Sequence, residues 1–372
     1  MSTFLIDENQ DVWVHGDNEC GQLGLGHRND IRIPTKIPNF KAISTSYRDY
    51  YTIFITENND VYVCGDNEYG QLGLGHNDNV DMPTKIPNFK AISAYCGDYC
   101  TVFITENYDV YVCGDNDDGQ LGLGHDDEVD IPTNDSGQLV LGYKNNVNIL
   151  TKIPDFKAIS VSCGICHTVF ITENNDVYVC GGNGYNQLGL GHDDNIYIPT
   201  KIPDFKAILV SCGDYYTVFI TEDYDVYVCG DNTDGQLGLG HKNNVNIFTK
   251  IPDFKAISVS CGIYHTIFIT ENYDVYSCGL NAHGQLGLGY YKYIDVPTKI
   301  TNFKAVSVYC NLSNSLFVTE NDDVYRCGYN RLGQLGLGHI NSVNTPTKIP
   351  NFDFKPLLQK RRFGKTKSAR NI

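Results

Sequence analysis

The stretch GQLGLGH at Gly21–His27 decides the fold of this chain, because it recurs at a fixed spacing. Successive copies lie 49 residues apart, except for one step of 67 residues. That longer step contains a degenerate copy, GQLVLG, which begins at Gly137, 18 residues after the third copy and 49 before the fourth. The spacing predicts seven units of one repeat with an 18-residue insertion in the third unit. The seven copies begin at Gly21, Gly70, Gly119, Asn186, Gly235, Gly284 and Gly333.

A single copy of this glycine-rich motif could be a phosphate-binding loop. Such a loop must leave a strand and open a helix, or carry a Gly-Lys-Ser/Thr sequence. No helical periodicity follows the motif, no lysine stands at the required place, and seven copies would imply seven nucleotide sites. We therefore interpret the motif as a structural turn.

Each repeat contains three short runs that favour β-strands. In one repeat these are KAISVS, TIFIT and DVYSC, which are rich in β-branched and aromatic residues. An E-N-x-D sequence between the second and third runs predicts a tight turn in which Asn and Asp accept positive φ. The following PTKIP segment fits an edge strand or a connector. Three or four antiparallel strands every 40 to 50 residues are typical of a propeller blade.

The two ends of the repeat region complement each other. The N-terminal TFLIDENQDVWVHG matches the second and third strands, and FDFKPLLQ near the C-terminus matches the first. We predict an all-β, closed seven-bladed β-propeller in which N- and C-terminal strands together close the last blade. Since 7 × 49 + 18 = 361, residues 1–361 would form this single domain, with the insertion near residues 119–136. Residues 362–372 would be a basic, disordered tail.

Charge is divided unevenly along the chain. The net charge is −16, but residues 354–372 contain seven Lys/Arg and no acid, so residues 1–353 carry −16 − 7 = −23. An acidic body disfavours nucleic acid and membrane headgroups. The N-terminus does not resemble a secretory signal, and fourteen cysteines without one indicate reduced thiols. We expect an intracellular protein, cytoplasmic or nuclear, without a membrane span.

The positions of histidine and cysteine predict packing rather than chemistry. One histidine per repeat would be spread around the ring instead of gathering as zinc ligands. His167 and His265, before a second strand, are expected to be hydrogen-bonded packing residues. Recurrent strand cysteines behave as small buried hydrophobes, and the C-x-x-C pair Cys163 and Cys166 lacks a second pair. We predict no catalytic residue, metal or cofactor, and hence no enzymatic activity.

The insertion is the feature that breaks the repeat. Long loops on rigid scaffolds often carry recognition, so its acids are candidates for binding a partner. A solvated loop left by duplication is the alternative. The candidate residues are Asp126, Asp127, Glu128, Asp130 and Asp135.

The tail sequence KRRFGKTKSAR has the composition of a nuclear-localisation or nucleic-acid-binding patch. It is the only part of the chain with that preference, and a disordered terminus without function is the alternative. The candidate residues are Lys360, Arg361, Arg362, Lys365, Lys367 and Arg370.

The motifs V-x-C-G-x-N-x-x-G-Q-L-G-L-G-H and S-C-G-x-x-H-T, which recur in register to about Gln359, resemble the regulator of chromosome condensation repeat family. The resemblance implies a seven-bladed propeller. It also implies diverse functions: nucleotide exchange on a Ran-type GTPase with chromatin binding, recognition in ubiquitin ligases, UV-B sensing and bacterial protein inhibition. UV-B sensing needs a tryptophan cluster, and Trp13 stands alone.

Three functional hypotheses remain. The first is a monomeric, non-enzymatic scaffold that binds a protein partner through the insertion and the GDN-x-x-G loops. The second is a guanine-nucleotide exchange factor for a Ran-like small GTPase, associated with chromatin through its basic tail. The third is a substrate-recognition partner of a ubiquitin ligase.

Overall fold

The computed structural model describes residues 2–48, 50–124 and 146–349. These residues form 27 β-strands, and no helix occurs among them. In chain order, strands β1 to β27 are Ser2–Ile6, Asp11–Gly16, Ile31–Lys41, Ser44–Tyr47, Tyr51–Ile55, Asp60–Gly65, Val80–Lys90, Ser93–Cys96, Cys100–Ile104, Asp109–Gly114, Val147–Lys157, Ser160–Cys163, His167–Ile171, Asp176–Gly181, Ile196–Lys206, Leu209–Cys212, Tyr216–Ile220, Asp225–Gly230, Val245–Lys255, Ser258–Cys261, His265–Ile269, Asp274–Gly279, Ile294–Lys304, Ser307–Asn311, Asn314–Val318, Val324–Gly328 and Val343–Lys348.

The described strands fall into seven antiparallel sheets, which are the blades of a propeller. Blade 1 is β1–β2–β3, and blades 2 to 7 each contain four strands in sequential order, from β4–β7 to β24–β27. The first strands of successive blades from 2 to 7 contact one another, so they line the central axis. The PTKIP segments form the fourth, outermost strands, as predicted for edge strands. The seven-bladed, all-β prediction is confirmed.

The hydrophobic core lies between the blades. The second strand of each blade is fully buried, as at Tyr51–Ile55, and the third strand alternates between buried and half-buried residues. In blades 1 to 6, a phenylalanine of the outer strand packs on the next blade: the rings of Phe89 in blade 2 and Phe103 in blade 3 are 5.3 Å apart and edge-on. The cores therefore hold neighbouring blades together.

Two details of the predicted blade differ from the structure. The run KAISVS is divided: its lysine ends the fourth strand of one blade, and only Ser258–Cys261 forms the next first strand. In the E-N-x-D turns, the positive φ falls at the x position, which is Asn59 in blade 2 but Tyr108 in blade 3. Asn and Asp were expected there, and the structure instead places tyrosine in three blades, where an exposed side chain tolerates the left-handed region at a cost of about 1 kcal/mol.

The GQLGLG segment lies between the third and fourth strands of a blade, and it is hydrogen-bonded to the next blade. The carbonyl of Gln71 in blade 2 accepts hydrogen bonds from Thr101 Oγ1 at 2.7 Å and from Cys113 Sγ at 3.3 Å, both in blade 3. Gly75 N–H also donates to the Asn148 carbonyl of blade 3. These bonds recur around the ring, and they explain the repeated third-strand cysteine. The interpretation of the motif as structural is confirmed.

The same contact closes the ring. Thr3 Oγ1 in blade 1 donates to the Gln334 carbonyl in blade 7 at 3.3 Å. The buried guanidinium of Arg326 donates to that carbonyl and to Thr3 Oγ1. Leu5 of blade 1 packs against Leu316 of blade 7. The ring is therefore closed, and the C-terminal strand predicted to complete blade 1 lies outside the described residues.

Candidate protein-binding face

The two sides of the ring carry different connections. Because adjacent strands of a blade are antiparallel, the first-to-second and third-to-fourth connections emerge on the same side. In blade 2 these connections begin at Arg48 and at Asp66. We call this side the loop face. The opposite side carries the short turns between second and third strands, and we call it the turn face.

Buried amides fix the backbone of each long loop. In blade 2, Asn67 Oδ1 accepts a hydrogen bond from Leu72 N–H, and Gln71 Oε1 accepts one from Tyr69 N–H. Gln71 Nε2 donates to the carboxylate of Asp66. The two residues that follow this Asn vary, and the first of them is exposed in every blade. The variable pairs are Glu19-Cys20, Glu68-Tyr69, Asp117-Asp118, Gly184-Tyr185, Thr233-Asp234, Ala282-His283 and Arg331-Leu332.

Aromatic rings cluster on the loop face. The ring of Tyr99 is nearly parallel to that of Tyr50 at 6.4 Å, and it lies 4.8 Å from that of Tyr69. A second pair, Tyr185 and Tyr215, has its ring centroids 4.6 Å apart. Tyr50 and Tyr185 are 41% and 45% exposed. Exposed tyrosines of this kind are enriched where proteins bind one another.

Carboxylates surround these rings. The first-to-second connections and the segments from the residue before each buried Asn to the second residue after it contain eleven acids among the described residues, against two arginines, Arg48 and Arg331. Burial, helped by the Cys166 thiol and the Asp214 carboxylate, raises the pKa of Tyr215 to about 12. The loop face is therefore an acidic, aromatic surface. The acids are Asp17, Glu19, Asp66, Glu68, Asp98, Asp115, Asp117, Asp118, Asp214, Asp231 and Asp234.

An ion cluster joins three blades at the centre of the loop face. Arg48 Nε of blade 2 lies 2.5 Å from Asp98 Oδ1 of blade 3, and Arg48 Nη2 lies 2.6 Å from Asp214 Oδ1 of blade 5. Blades 2 and 5 are not neighbours, so Arg48 reaches across the axis. It also lines a cavity of about 510 Å³ between the first strands of blades 2, 3, 6 and 7.

The cluster is mostly shielded from water, with side chains at most 16% exposed. Burial raises the pKa of Asp214 to about 6, although the Arg48 charge acts in the opposite direction. We did not predict this cluster from the sequence. The sequence feature that indicates it is a local difference between repeats, because the second repeat has SYRDY where the third has YCGDY.

The sequence-predicted site residues lie outside the described residues. This holds for the insertion acids (residues 126–135) and for the basic tail (residues 360–370). The described chain stops at Gly124 and resumes at Asn146, within the β10–β11 connection. That connection begins at Asp115 on the loop face.

The histidines have the positions expected of packing and loop residues. His167 Nε2 lies 3.0 Å from Thr217 Oγ1, and His265 Nε2 lies 3.1 Å from Ser315 Oγ. Both are buried, and desolvation lowers the pKa of each to about 3. The described histidines of the GQLGLGH motif are exposed at the ends of separate blades, as at His76. Across the described ranges, no three metal-binding side chains converge.

The C-x-x-C pair lacks the features of a reactive dithiol. Cys163 is buried, and Cys166 Sγ accepts a hydrogen bond from Gln187 Nε2 at 3.3 Å. Burial raises the pKa of Cys166 to about 12, whereas a nucleophilic cysteine needs a lowered pKa. These contacts agree with the packing interpretation.

The fold and this surface define a class: a ring of repeated blades with one variable face. The chain belongs to the regulator of chromosome condensation (RCC1) repeat family. A model of that repeat matches seven successive segments, which are residues 9–54, 58–104, 109–171, 174–220, 224–269, 274–318 and 321–360. A second model of the same description matches residues 41–71, 89–120, 158–187, 207–236 and 256–285.

Solved structures share this fold at low sequence identity. Human WBSCR16 is 22% identical with a TM-score of 0.78, and the match covers 91% of this chain and 94% of that one. Prp20p from Saccharomyces cerevisiae is also 22% identical with a TM-score of 0.78, over 94% of this chain and 88% of that one. No curated protein sequence matches the chain. No catalytic family is among the matched models.

The described residues offer no helix of the length and hydrophobicity that a membrane span requires.

Proposed function

We propose that this propeller is a non-enzymatic protein-interaction scaffold that binds a protein partner through the loop face. The observation that carries this proposal is where the repeats differ. The buried amides of Asn67 and Gln71 recur in every blade, whereas the exposed residues beside them change from blade to blade. Tyrosines beside carboxylates suit a partner surface rich in lysine and arginine, through ion pairs and cation–π contacts.

We extend the proposed surface to the insertion, which belongs to a connection that begins on the loop face. Its acids have the same sign of charge as the described ones. We propose that the protein acts as a monomer inside the cell, in the cytoplasm or nucleus. The added contact residues are Asp126, Asp127, Glu128, Asp130 and Asp135.

The test compares tyrosines on the two faces. The loop-face variant is Tyr99→Ala with Tyr215→Ala, and the matched control on the turn face is Tyr108→Ala with Tyr224→Ala. Partners captured from cell extract are quantified by mass spectrometry, and the enriched protein is then titrated against each purified variant. Loss of binding by at least about tenfold in the loop-face variant alone supports the proposal. Equal binding by both variants contradicts it.

A second candidate is nucleotide exchange on a Ran-like small GTPase. It is favoured by the likeness to Prp20p, whose structure was reported with its binding properties to Gsp1p and histones. An exchange factor stabilises the nucleotide-free GTPase and needs no catalytic side chain of its own. Release of fluorescent GDP from a panel of small GTPases tests this candidate. Acceleration that the Tyr99→Ala, Tyr215→Ala variant loses would support exchange, and unchanged release with every GTPase would remove it.

A further inference from the structure

The strongest charge contrast in the chain lies between its loop face and its own C-terminal segment. Residues 354–372 contribute seven positive charges and no acid, whereas the described connections of the loop face contain fifteen acids against five Lys/Arg. One of these five cations, Arg48, is already paired with Asp98 and Asp214. This face therefore has a large excess of carboxylates.

The direction of the last described strand and the repeat register predict that the two parts lie close together. The last described strand, β27 (Val343–Lys348), is a fourth strand, so it runs from the loop face to the turn face. At its end, Ile349 N–H donates to the Val324 carbonyl. The residues that follow match a first strand in sequence, and a first strand runs from the turn face to the loop face. The sequence therefore predicts that the chain returns to the loop face. In the repeat register, 48 + 6 × 49 + 18 = 360, the sequence aligns Lys360 with Arg48 of blade 2.

The segment also has the composition to bind this face. Lys360–Arg370 contains six cations and Phe363, and eleven extended residues span about 35 Å, enough to cross several blades. Its arginines can pair with exposed carboxylates such as Glu68 and Asp117 and stack on Tyr99. Each exposed ion pair is weak, but several on one segment add up if the segment begins beside the site, as the repeat register predicts.

We propose that Lys360–Arg370 binds the loop face of its own propeller and competes there with a basic partner. The inference rests on the proposed function, because the same surface receives both. It assigns the basic segment a regulatory role: the partner must displace it, and modification that reduces its positive charge would favour the partner.

A labelled peptide, KRRFGKTKSARNI, tests this inference by fluorescence anisotropy at low salt. The peptide is titrated with a full-length variant, which we call the neutralised chain. In this variant Gln replaces Lys360, Arg361, Arg362, Lys365, Lys367 and Arg370. We expect this chain to bind the peptide at least about tenfold more tightly than the wild type, whose own segment occupies the face. Equal affinity for both chains overturns the inference.

Matched acid variants in the neutralised chain locate the contact. On the loop face, Glu19→Gln, Glu68→Gln and Asp117→Asn remove three exposed charges; on the turn face, Glu57→Gln, Glu106→Gln and Glu173→Gln remove three as well. Peptide affinity should fall about tenfold with the first set and stay unchanged with the second. Equal losses with both sets would indicate non-specific attraction to an acidic protein and overturn the inference.

Two further measurements separate this inference from its premise. If the neutralised chain captures a partner through the loop face but does not bind the peptide, the inference fails and the proposed function stands. Duplex DNA competes with the loop face for binding to the basic tail. The comparison uses the wild type and a chain that keeps its basic tail but carries Glu19→Gln, Glu68→Gln and Asp117→Asn. If these two chains bind DNA with equal affinity, the tail is free of the loop face, and the inference is overturned.

Discussion

The two faces of the ring come from the same repeat, yet their exposed residues vary more on the loop face, the variable face, than on the turn face, where mainly the x position of the E-N-x-D turns changes. On the turn face, an aspartate at or just before the start of each third strand pairs with lysine of the outer strand, as Asp60 does with Lys85 at 2.8 Å and Lys90 at 3.7 Å. On the loop face, exposed residues change sign and size from blade to blade. Loop backbones fixed by buried amides can accept such changes without unfolding, so the variable face is where binding can evolve.

The largest expected effect comes from breaking the framework under the loop face. Asn67 is fully buried; its oxygen accepts from Leu72 N–H, and its nitrogen donates to the His76 and Asp78 carbonyls. Asn67→Ala would leave these backbone groups without partners, so the free energy of unfolding should fall by about 3–4 kcal/mol in urea titrations. The control Asn58→Ala, exposed on the turn face, should change it by less than about 0.5 kcal/mol. Similar losses in both variants would remove the distinction between framework and surface.

The insertion offers two deletions of equal length that differ at one residue. Removing residues 125–142 retains GQLGLG, whereas removing 119–136 retains GQLVLG. The second deletion thus places valine where Gly122 has φ +68° and where a Cβ would lie 3.0 Å from Pro199 Cδ. The chain lacking 119–136 should be about 2–3 kcal/mol less stable than the chain lacking 125–142, because valine is strained in this conformation.

Urea titration of both deletion variants and the wild type measures this difference. We expect the chain lacking 125–142 to approach wild-type stability, because deletion restores the 49-residue spacing. If this deletion alone prevents folding, the insertion is part of the framework rather than of the variable face.

The repeat period allowed most of the fold to be predicted, because a fixed spacing of turn motifs and strand runs leaves few architectures. The ion cluster of Arg48, Asp98 and Asp214 could not be predicted in the same way. Arg48 and Asp214 are separated by 166 residues, and a single sequence does not show which side chains meet across the axis. The positive φ of tyrosine at the x position of three turns could not be predicted either. Turn preferences are averages over many proteins, whereas here the pairing of the two flanking strands requires a positive φ at this position, whichever residue occupies it.

A pH dependence should distinguish the central cluster from the rest of the loop face. Because burial raises the pKa of Asp214 to about 6, its stabilising contribution is complete below about pH 4 and is lost as the pH rises through 6. Between pH 4 and pH 7, the wild type should lose about 2 kcal/mol of unfolding free energy relative to Asp214→Asn. Parallel urea titrations across this range measure the difference. If the difference in unfolding free energy between the two proteins stays constant from pH 4 to pH 7, Arg48 keeps Asp214 charged throughout this range.

The smallest effect is expected on the turn face. The hydrogen bond from Lys85 lowers the pKa of Asp60, but both lysines are largely exposed, so solvent and salt screen the pairs. Asp60→Asn should therefore shift the urea midpoint less than Asn67→Ala or the deletion of residues 119–136, and the shift should shrink further at high salt. Because this pKa is lowered, the small contribution should also vanish as the pH falls through it. A shift as large as that of Asn67→Ala, persisting at high salt, would show that the turn face is as much a part of the framework as the buried amides are.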